Sequence, residues 1–446
     1  MAGTVVRTVD ERVARVERVG VGLAVFGAST RRGHRGGLIA GLVVDNLGSG
    51  MFLPLTIVFI VRSVGLSVGV AGTLLAVGTL VGLLSPALVG RVSDRVGPRP
   101  VVVVSMTVQA AGMVCYLLAH DIVLTLAAAA LVAGGTQTFY SGLFALISDV
   151  VGAGPKDNAF AVVAMARAAA FGAGSLLAGL LLTLASTTAL RIAVGIDAGS
   201  FVVAATLLAL FVRPSTTRPQ PNHDPGPERS GSVRRDRPFL VLIGTVALLA
   251  LVTDFFLVGL PVYALTILHT PGWVPGVCLA MLTTATSTLT SLVVRRTAAM
   301  PRTTALGIGA GFYILWCLLA ATAATLPATW TTPWLLGSTL LLIAGSLSAD
   351  TRANAIAEAA SPPQWRGPYL ATFQYAFTIA GLLAPLVVAL FTVSTWLPWL
   401  IVALSATLGI SALPWLTRTL PARATRVDPI QTVRRNHVST HDRPSA

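Results

Sequence analysis

The sequence predicts an all-α integral membrane protein: twelve transmembrane helices in two six-helix pseudo-repeats. Three observations predict it. Of the 446 residues, 54% are hydrophobic and 11% charged, with a mean hydropathy of +0.79. Soluble domains carry about 25% charged residues, so this chain has too few to cover a water-facing surface. Twelve apolar runs approach or exceed the roughly 20 residues that a helix needs to cross the hydrocarbon core. Unusual residues also recur between the two halves at one fixed offset.

The runs fall near 37–61, 67–89, 100–119, 122–147, 158–185, 189–212, 239–265, 273–294, 303–325, 332–356, 367–392 and 395–416. They divide the chain into an N-terminal tail (1–36), a first bundle (37–212), a linker (213–238), a second bundle (239–416) and a C-terminal tail (417–446). The tail before the first run carries arginines and acids throughout, with no apolar stretch leading to a small-residue cleavage site, so it does not read as a signal peptide. A short surface helix is expected over Val5–Val21. The linker is rich in Pro, Ser, Thr and Arg and has no apolar face to bury.

Basic residues set the orientation. Arg31, Arg32 and Arg35 precede the first run. Arg91, Arg95 and Arg99 lie between the second and third, Arg213–Arg237 after the sixth, and Arg295, Arg296 and Arg302 between the eighth and ninth. Arg418–Arg443 follow the twelfth. Twelve spans put all of these on one side. The other side holds Arg62, His120, Asp121, Arg191 and His269. Both termini are therefore expected in the cytoplasm of a cell whose plasma membrane holds the protein. The net charge of +14 is spread over these short segments and forms no single patch, which argues against nucleic acid.

At an offset of 209 residues Asp45 falls on Asp254, Asp149 on Glu358, Phe160 on Tyr369 and Gly172 on Gly381. Proline follows both aspartates, at Pro54 and Pro261. Parallel six-helix halves are one of the known plans of secondary transporters.

Between the second and third runs stands Gly90-Arg91-Val92-Ser93-Asp94-Arg95-Val96-Gly97-Pro98-Arg99-Pro100. It closely resembles the signature loop between helices 2 and 3 of the major facilitator superfamily. Gly90, Asp94, Arg95, Gly97 and Arg99 match, and Pro98 replaces a basic residue. The second-half counterpart, Arg295–Arg302, keeps basic residues but lacks the aspartate and both glycines. Ala357–Gly367 resembles the loop between helices 10 and 11 of drug-efflux members. Gly172-Ala173-Gly174-Ser175-Leu176-Leu177-Ala178-Gly179 partly matches the helix-5 antiporter motif, with Ser175 at its proline and Ala178 at one glycine. The resemblance implies alternating access, with the helix 2–3 motif as a latch on the cytoplasmic side. It also implies proton-coupled efflux of small hydrophobic or amphipathic compounds. An uptake or facilitated-diffusion permease of the same fold, and a transport-inactive scaffold or sensor, remain the alternatives.

Ionisable residues deep in a bilayer cost roughly 2.5–3.5 kcal/mol on insertion scales and are functional candidates by default. Asp45 lies ten residues past Arg35, about 15 Å into the first helix. Asp254 is central to the seventh. Desolvation disfavours a charged carboxylate, so both suit proton binding and release. Arg167, mid-helix in the fifth run, needs a partner, and Asp45 is the first candidate. Asp350 is a coupling candidate by resemblance. Arg352, two residues on, faces elsewhere. Asp197 reads as structural or interfacial. Each of these charges is equally a candidate for a fixed interhelical contact.

Phe139, Tyr140, Phe255, Phe256 and Tyr375 are the foremost cavity-lining aromatics, Phe255 and Phe256 because they adjoin Asp254. Gly172, Gly174 and Gly179 supply small surfaces for close helix packing. Cys115, Cys278 and Cys317 have no metal-ligand spacing, the six histidines are scattered, and no phosphate-binding loop occurs. The expected partners are thus the lipid bilayer, a small-molecule substrate and protons, with no metal, cofactor, nucleic acid or catalytic activity. A monomer is expected.

Overall fold

The structure is a computed structural model, described for residues 31–83, 96–151, 156–183, 186–212, 233–297, 300–362 and 366–425. Residues 1–30, 213–232 and 426–446 lie outside it, and with them the helix expected over Val5–Val21. So do Gly90, Asp94 and Arg95 of the signature loop.

Within these limits the chain is helical throughout. α1 (Arg31–Phe52) continues through a 3₁₀ turn at Leu53–Leu55, where Pro54 supplies no N–H, then Thr56–Phe59 and a π-helical turn at Ile60–Val64. Gly65 ends it at φ +84°, a conformation open to glycine. α2 (Val68–Gly82), α3 (Pro98–Leu118), α4 (Ile122–Val151), α5 (Lys156–Leu182) and α6 (Thr187–Phe211) complete the first half.

α7 (Arg237–Val262) repeats the plan of α1. Pro261 stands near its end and a π-helical turn, Tyr263–Ile267, closes it. α8 (Trp273–Arg296), α9 (Arg302–Thr322) and α10 (Ala328–Ala360) follow. α11 runs in two pieces, Arg366–Phe373 and Tyr375–Ala389, and α12 is Leu397–Thr419. Among the described residues eleven helices are long and apolar enough to cross a membrane; α2 is a shorter apolar one.

Helix ends reach past the apolar runs. α1 begins at Arg31 and a short helix, Ala422–Thr425, follows α12, both inside stretches read as tails. Asp236 caps α7 from within the linker, its Oδ1 accepting from the Phe239 N–H at 3.1 Å.

The packing pairs reveal the repeat. In the first half α1 packs on α5 and α6, α3 on α4 and α6, and α2 on α4. In the second, α7 packs on α11 and α12, α9 on α10 and α12, and α8 on α10. Adding six to each helix number converts one set into the other. The halves join through α2 with α11 and α5 with α8, two pairs that exchange under the same operation.

These joints lie toward one face, where α1 ends. A Cβ on Gly72 of α2 would stand 2.2 Å from the Pro385 carbonyl of α11, so only glycine permits that approach. Leu182 at the end of α5 abuts Gly272, and Gly179 abuts Trp273 and Gly276. Arg62 adds a bond across the halves, donating from Nη2 to the Leu265 carbonyl at 3.0 Å. Toward the other face the halves part among the described residues. Every buried residue of α8 lies at or before Ala280. Leu80 and Val81 of α2, Met165 of α5 and Tyr375 of α11 are exposed there. Among the described residues the halves meet on the face where α1 ends and stand apart on the face where α1 begins.

Candidate functional site

The midplane charges collect in two groups, one per half. In the first, Asp45 of α1 is buried, and its Oδ2 accepts from Asn46 Nδ2 at 3.0 Å. Asn46 Nδ2 also donates to the Leu42 carbonyl at 2.9 Å. Asp45 interacts electrostatically with Arg167 of α5 and with Asp197 of α6. Asp45 and Arg167 nevertheless form no ion pair: the one salt bridge within 4.0 Å among the described residues is His120–Asp121. The partner expected from the sequence is near, but beyond contact. Arg167 turns instead to α4, donating from Nη2 to the Tyr140 hydroxyl at 2.9 Å. Its guanidinium carbon lies 5.2 Å from the Tyr140 ring centroid and 5.6 Å from that of Phe139, within cation–π range.

Asp197, read from sequence as structural or interfacial, is buried on this group. Its Oδ1 accepts from Ser200 Oγ at 3.3 Å, and Ser49 also donates to the carboxylate. A Cβ on Gly48 would fall 2.8 Å from that same Oδ1, so glycine there admits the carboxylate between α1 and α6. Its sequence signal was Ser200 one turn on, facing a small-residue stretch, Gly48-Ser49-Gly50.

The glycines of α5 lie against neighbouring helices. A Cβ on Gly174 would stand 2.1 Å from the Leu47 carbonyl of α1, one on Gly172 2.3 Å from Thr283 Oγ1 of α8, and Gly179 meets α8 as above. Ser175, where the antiporter motif has proline, donates to the Gly50 carbonyl at 3.1 Å and so ties α5 to α1.

In the second half Asp254 of α7 and Asp350 of α10 interact electrostatically. Asp254 faces Gly381 of α11, where a Cβ would be 3.7 Å from its Oδ2. Asp350 accepts from the Tyr313 hydroxyl of α9 at 3.1 Å and from Ser346 Oγ. It opens onto a cleft between α7, α9 and α11 lined by Leu249, Leu306 and Phe377. Tyr313 and Ser346 carried no sequence signal that set them apart from other hydroxyls. Arg352 points the other way, as two-residue spacing requires, and donates to Thr297 Oγ1 at 2.6 Å and to the Val294 carbonyl at 3.3 Å, at the C-terminus of α8.

The aromatic assignments need correction. Phe255 and Phe256 are fully buried. Phe255 packs on Trp399 with centroids 5.1 Å apart and Phe256 on Trp316 at 5.7 Å, within a cluster that also holds Tyr263 and Phe391. One and two residues beyond Asp254 turn a side chain about 100° and 200° away from it, so adjacency in sequence put them inside the half and not on its cavity. Phe139 is buried beneath Arg167, while Tyr140 and Tyr375 are open.

Of the five matching residues of the signature loop, Gly97 and Arg99 are described. Gly97 takes φ +86° just before α3. Arg99 donates to the Leu208 and Ala209 carbonyls at the C-terminus of α6. It thus clasps its own half and not the opposite one, because the last carbonyls of α6 lie unpaired within its reach.

Two six-helix halves packed on one plan and joined through α2–α11 and α5–α8, with ionisable side chains at mid-depth, have the architecture of a membrane transporter. The family model for the Major Facilitator Superfamily matches residues 38–347. The chain belongs to that superfamily. No curated protein matches it. Among solved structures it is similar to a bacterial homologue of the iron transporter ferroportin in an inward-facing state (TM-score 0.69, 16% identity, 87% of this chain and 100% of that one). It is also similar to a bacterial homologue of the lysosomal transporter Spinster, inward-facing and occupied (0.67, 13%, 90% and 99%). A third is a peptide transporter in complex with alafosfalin (0.68, 12%, 86% and 95%). At these identities the likeness is one of fold.

Proposed function

We propose that this protein is a proton-coupled exporter of small hydrophobic or amphipathic compounds. It sits in the plasma membrane with both termini in the cytoplasm, and the conformation described is inward-open. The observation that carries the reading is the pair Asp45 and Asp254. They stand at equivalent depths of the two first helices, and neither has an ion-pair partner within 4.0 Å among the described residues. A carboxyl group so placed gains little from staying charged and can hand its proton to whichever side the halves expose. Orientation rests on the arginines: Arg99, Arg237, Arg296, Arg302 and Arg418 all lie at helix ends on the open face.

The test is substrate flux in proteoliposomes under an imposed pH gradient, run over a compound panel. Asp45→Asn and Asp254→Asn are expected to abolish gradient-driven flux while the protein still elutes as a folded species. Undiminished flux in both variants would end the coupling assignment. Wild-type flux indifferent to the gradient would leave facilitated diffusion in its place.

A further inference from the structure

We propose that Arg167, with Tyr140 and Phe139, forms a subsite for the anionic group of an amphipathic aromatic compound, a carboxylate or sulfonate. As a statement about substrate class this rests on the transport reading above. As a statement about binding it stands on the side chains themselves.

A guanidinium carries five N–H donors and cannot shed its charge. Arg167 uses one nitrogen, Nη2, on the Tyr140 hydroxyl at 2.9 Å. Its Nε is enclosed and has no acceptor. Nη1 makes no protein hydrogen bond among the described residues and is not enclosed with it. No carboxylate of the described residues lies within 4.0 Å. A cation at mid-membrane depth with two nitrogens idle has much to gain from an anion.

The two buried acids of this group are otherwise engaged. Asp45 is buried against Asn46, and Asp197 is held by Ser200 and Ser49. Beside the cation stand two rings in edge contact, Phe139 and Tyr140, with centroids 5.3 Å apart. Phe139 is buried and fixes the wall, while Tyr140 is 44% exposed and presents it. A fixed positive group next to an open aromatic face suits a ligand with an acidic head and a flat apolar body.

Calorimetric titration of the full chain in lipid nanodiscs tests this, with naphthalene-2-carboxylate and its neutral isostere naphthalene-2-carboxamide as probes. Wild type is expected to bind the carboxylate at least tenfold more tightly than the amide. Arg167→Gln should remove that preference, and Tyr140→Ala should weaken both probes. Arg167→Lys keeps the charge and should retain part of the preference, so a folding defect in Arg167→Gln does not decide the matter. Equal binding of the two probes by wild type, or an undiminished carboxylate preference in a folded Arg167→Gln protein, would overturn the proposal. Binding of the carboxylate without its flux in proteoliposomes would support the subsite while removing the transport reading.

Discussion

Arg62→Ala should tip the protein away from the conformation described. The Arg62 side chain ends α1 and donates across the halves to the Leu265 carbonyl at 3.0 Å. That bond exists only while the face where α1 ends is closed. Hydrogen bonds to charged groups contribute about 1.5–3 kcal/mol when enclosed. Arg62 is exposed, and solvent screens such interactions, so about 1 kcal/mol is the reasonable figure here. An equilibrium displaced by that much changes roughly fivefold. The α2–α11 and α5–α8 joints persist in the variant, so the shift should be partial. The assay is a distance measurement between spin labels at Asp121→Cys and Thr325→Cys, which lie in the α3–α4 and α9–α10 connections on the closing face. Cys115 is half-buried and should be replaced by serine, whereas Cys278 and Cys317 are buried from the reagent. The expected result is a second, longer distance whose share grows about fivefold over the parent. Identical distance distributions would refute the idea that this bond holds the halves together.

Gly72→Ala should shift the same equilibrium in the same direction and further. Its Cβ would lie 2.2 Å from the Pro385 carbonyl, and overpacking of this kind costs about 1–3 kcal/mol; the same label pair reads it. Phe255→Ala should lower the thermal stability of the detergent-purified protein by about 3–5 kcal/mol, since the ring is fully buried against Trp399. Tyr375→Ala, at a side chain 55% exposed, should cost less than about 0.5 kcal/mol in the same melt. Arg352→Ala should fray the last turn of α8 by about 1–2 kcal/mol through loss of the bonds to Thr297 and Val294. Hydrogen exchange at residues 293–297 should then quicken while that of α12 stays unchanged.

What the sequence could reveal follows from the period of a helix. Apolar length located the spans, and arginine placement assigned helix ends to two faces, because both are one-dimensional properties of the chain. Depth was legible too: Asp45, Arg167 and Asp254 all lie mid-helix. Azimuth was not. Phe255 and Phe256 adjoin Asp254 in sequence yet point into the aromatic cluster of the half, since each residue rotates about 100° from the last. The azimuth of Asp197 was likewise illegible, as nothing in the sequence says that its carboxylate faces Gly48 of α1. The Asp45–Arg167 pairing was right in neighbourhood and wrong in contact. The order of helices around a half brings α1 and α5 together, but whether two side chains touch depends on competition from Asn46 and Tyr140, which no spacing rule registers.

The internal repeat sharpens what is particular to each half. At the offset of 209 residues that carries Asp45 onto Asp254, Arg167 falls on Ala376 and Asp350 falls back on Ser141. Ala376 is buried and apolar, and the Ser141 hydroxyl donates to the carbonyl of Thr138 at 2.7 Å. Asp197 falls on Ala406. The scaffold and one carboxylate are therefore duplicated, whereas Arg167 and Asp197 belong to the first half and Asp350 to the second. A rocking motion needs the duplicated part, since equal halves closing at either face require equivalent joints. Selecting a cargo needs the unduplicated part, because two identical half-sites would present the same charge to both ends of a ligand. Arg167 with its aromatic wall, beside Asp45 and Asp197, marks one half, and the Asp254–Asp350 pair marks the other.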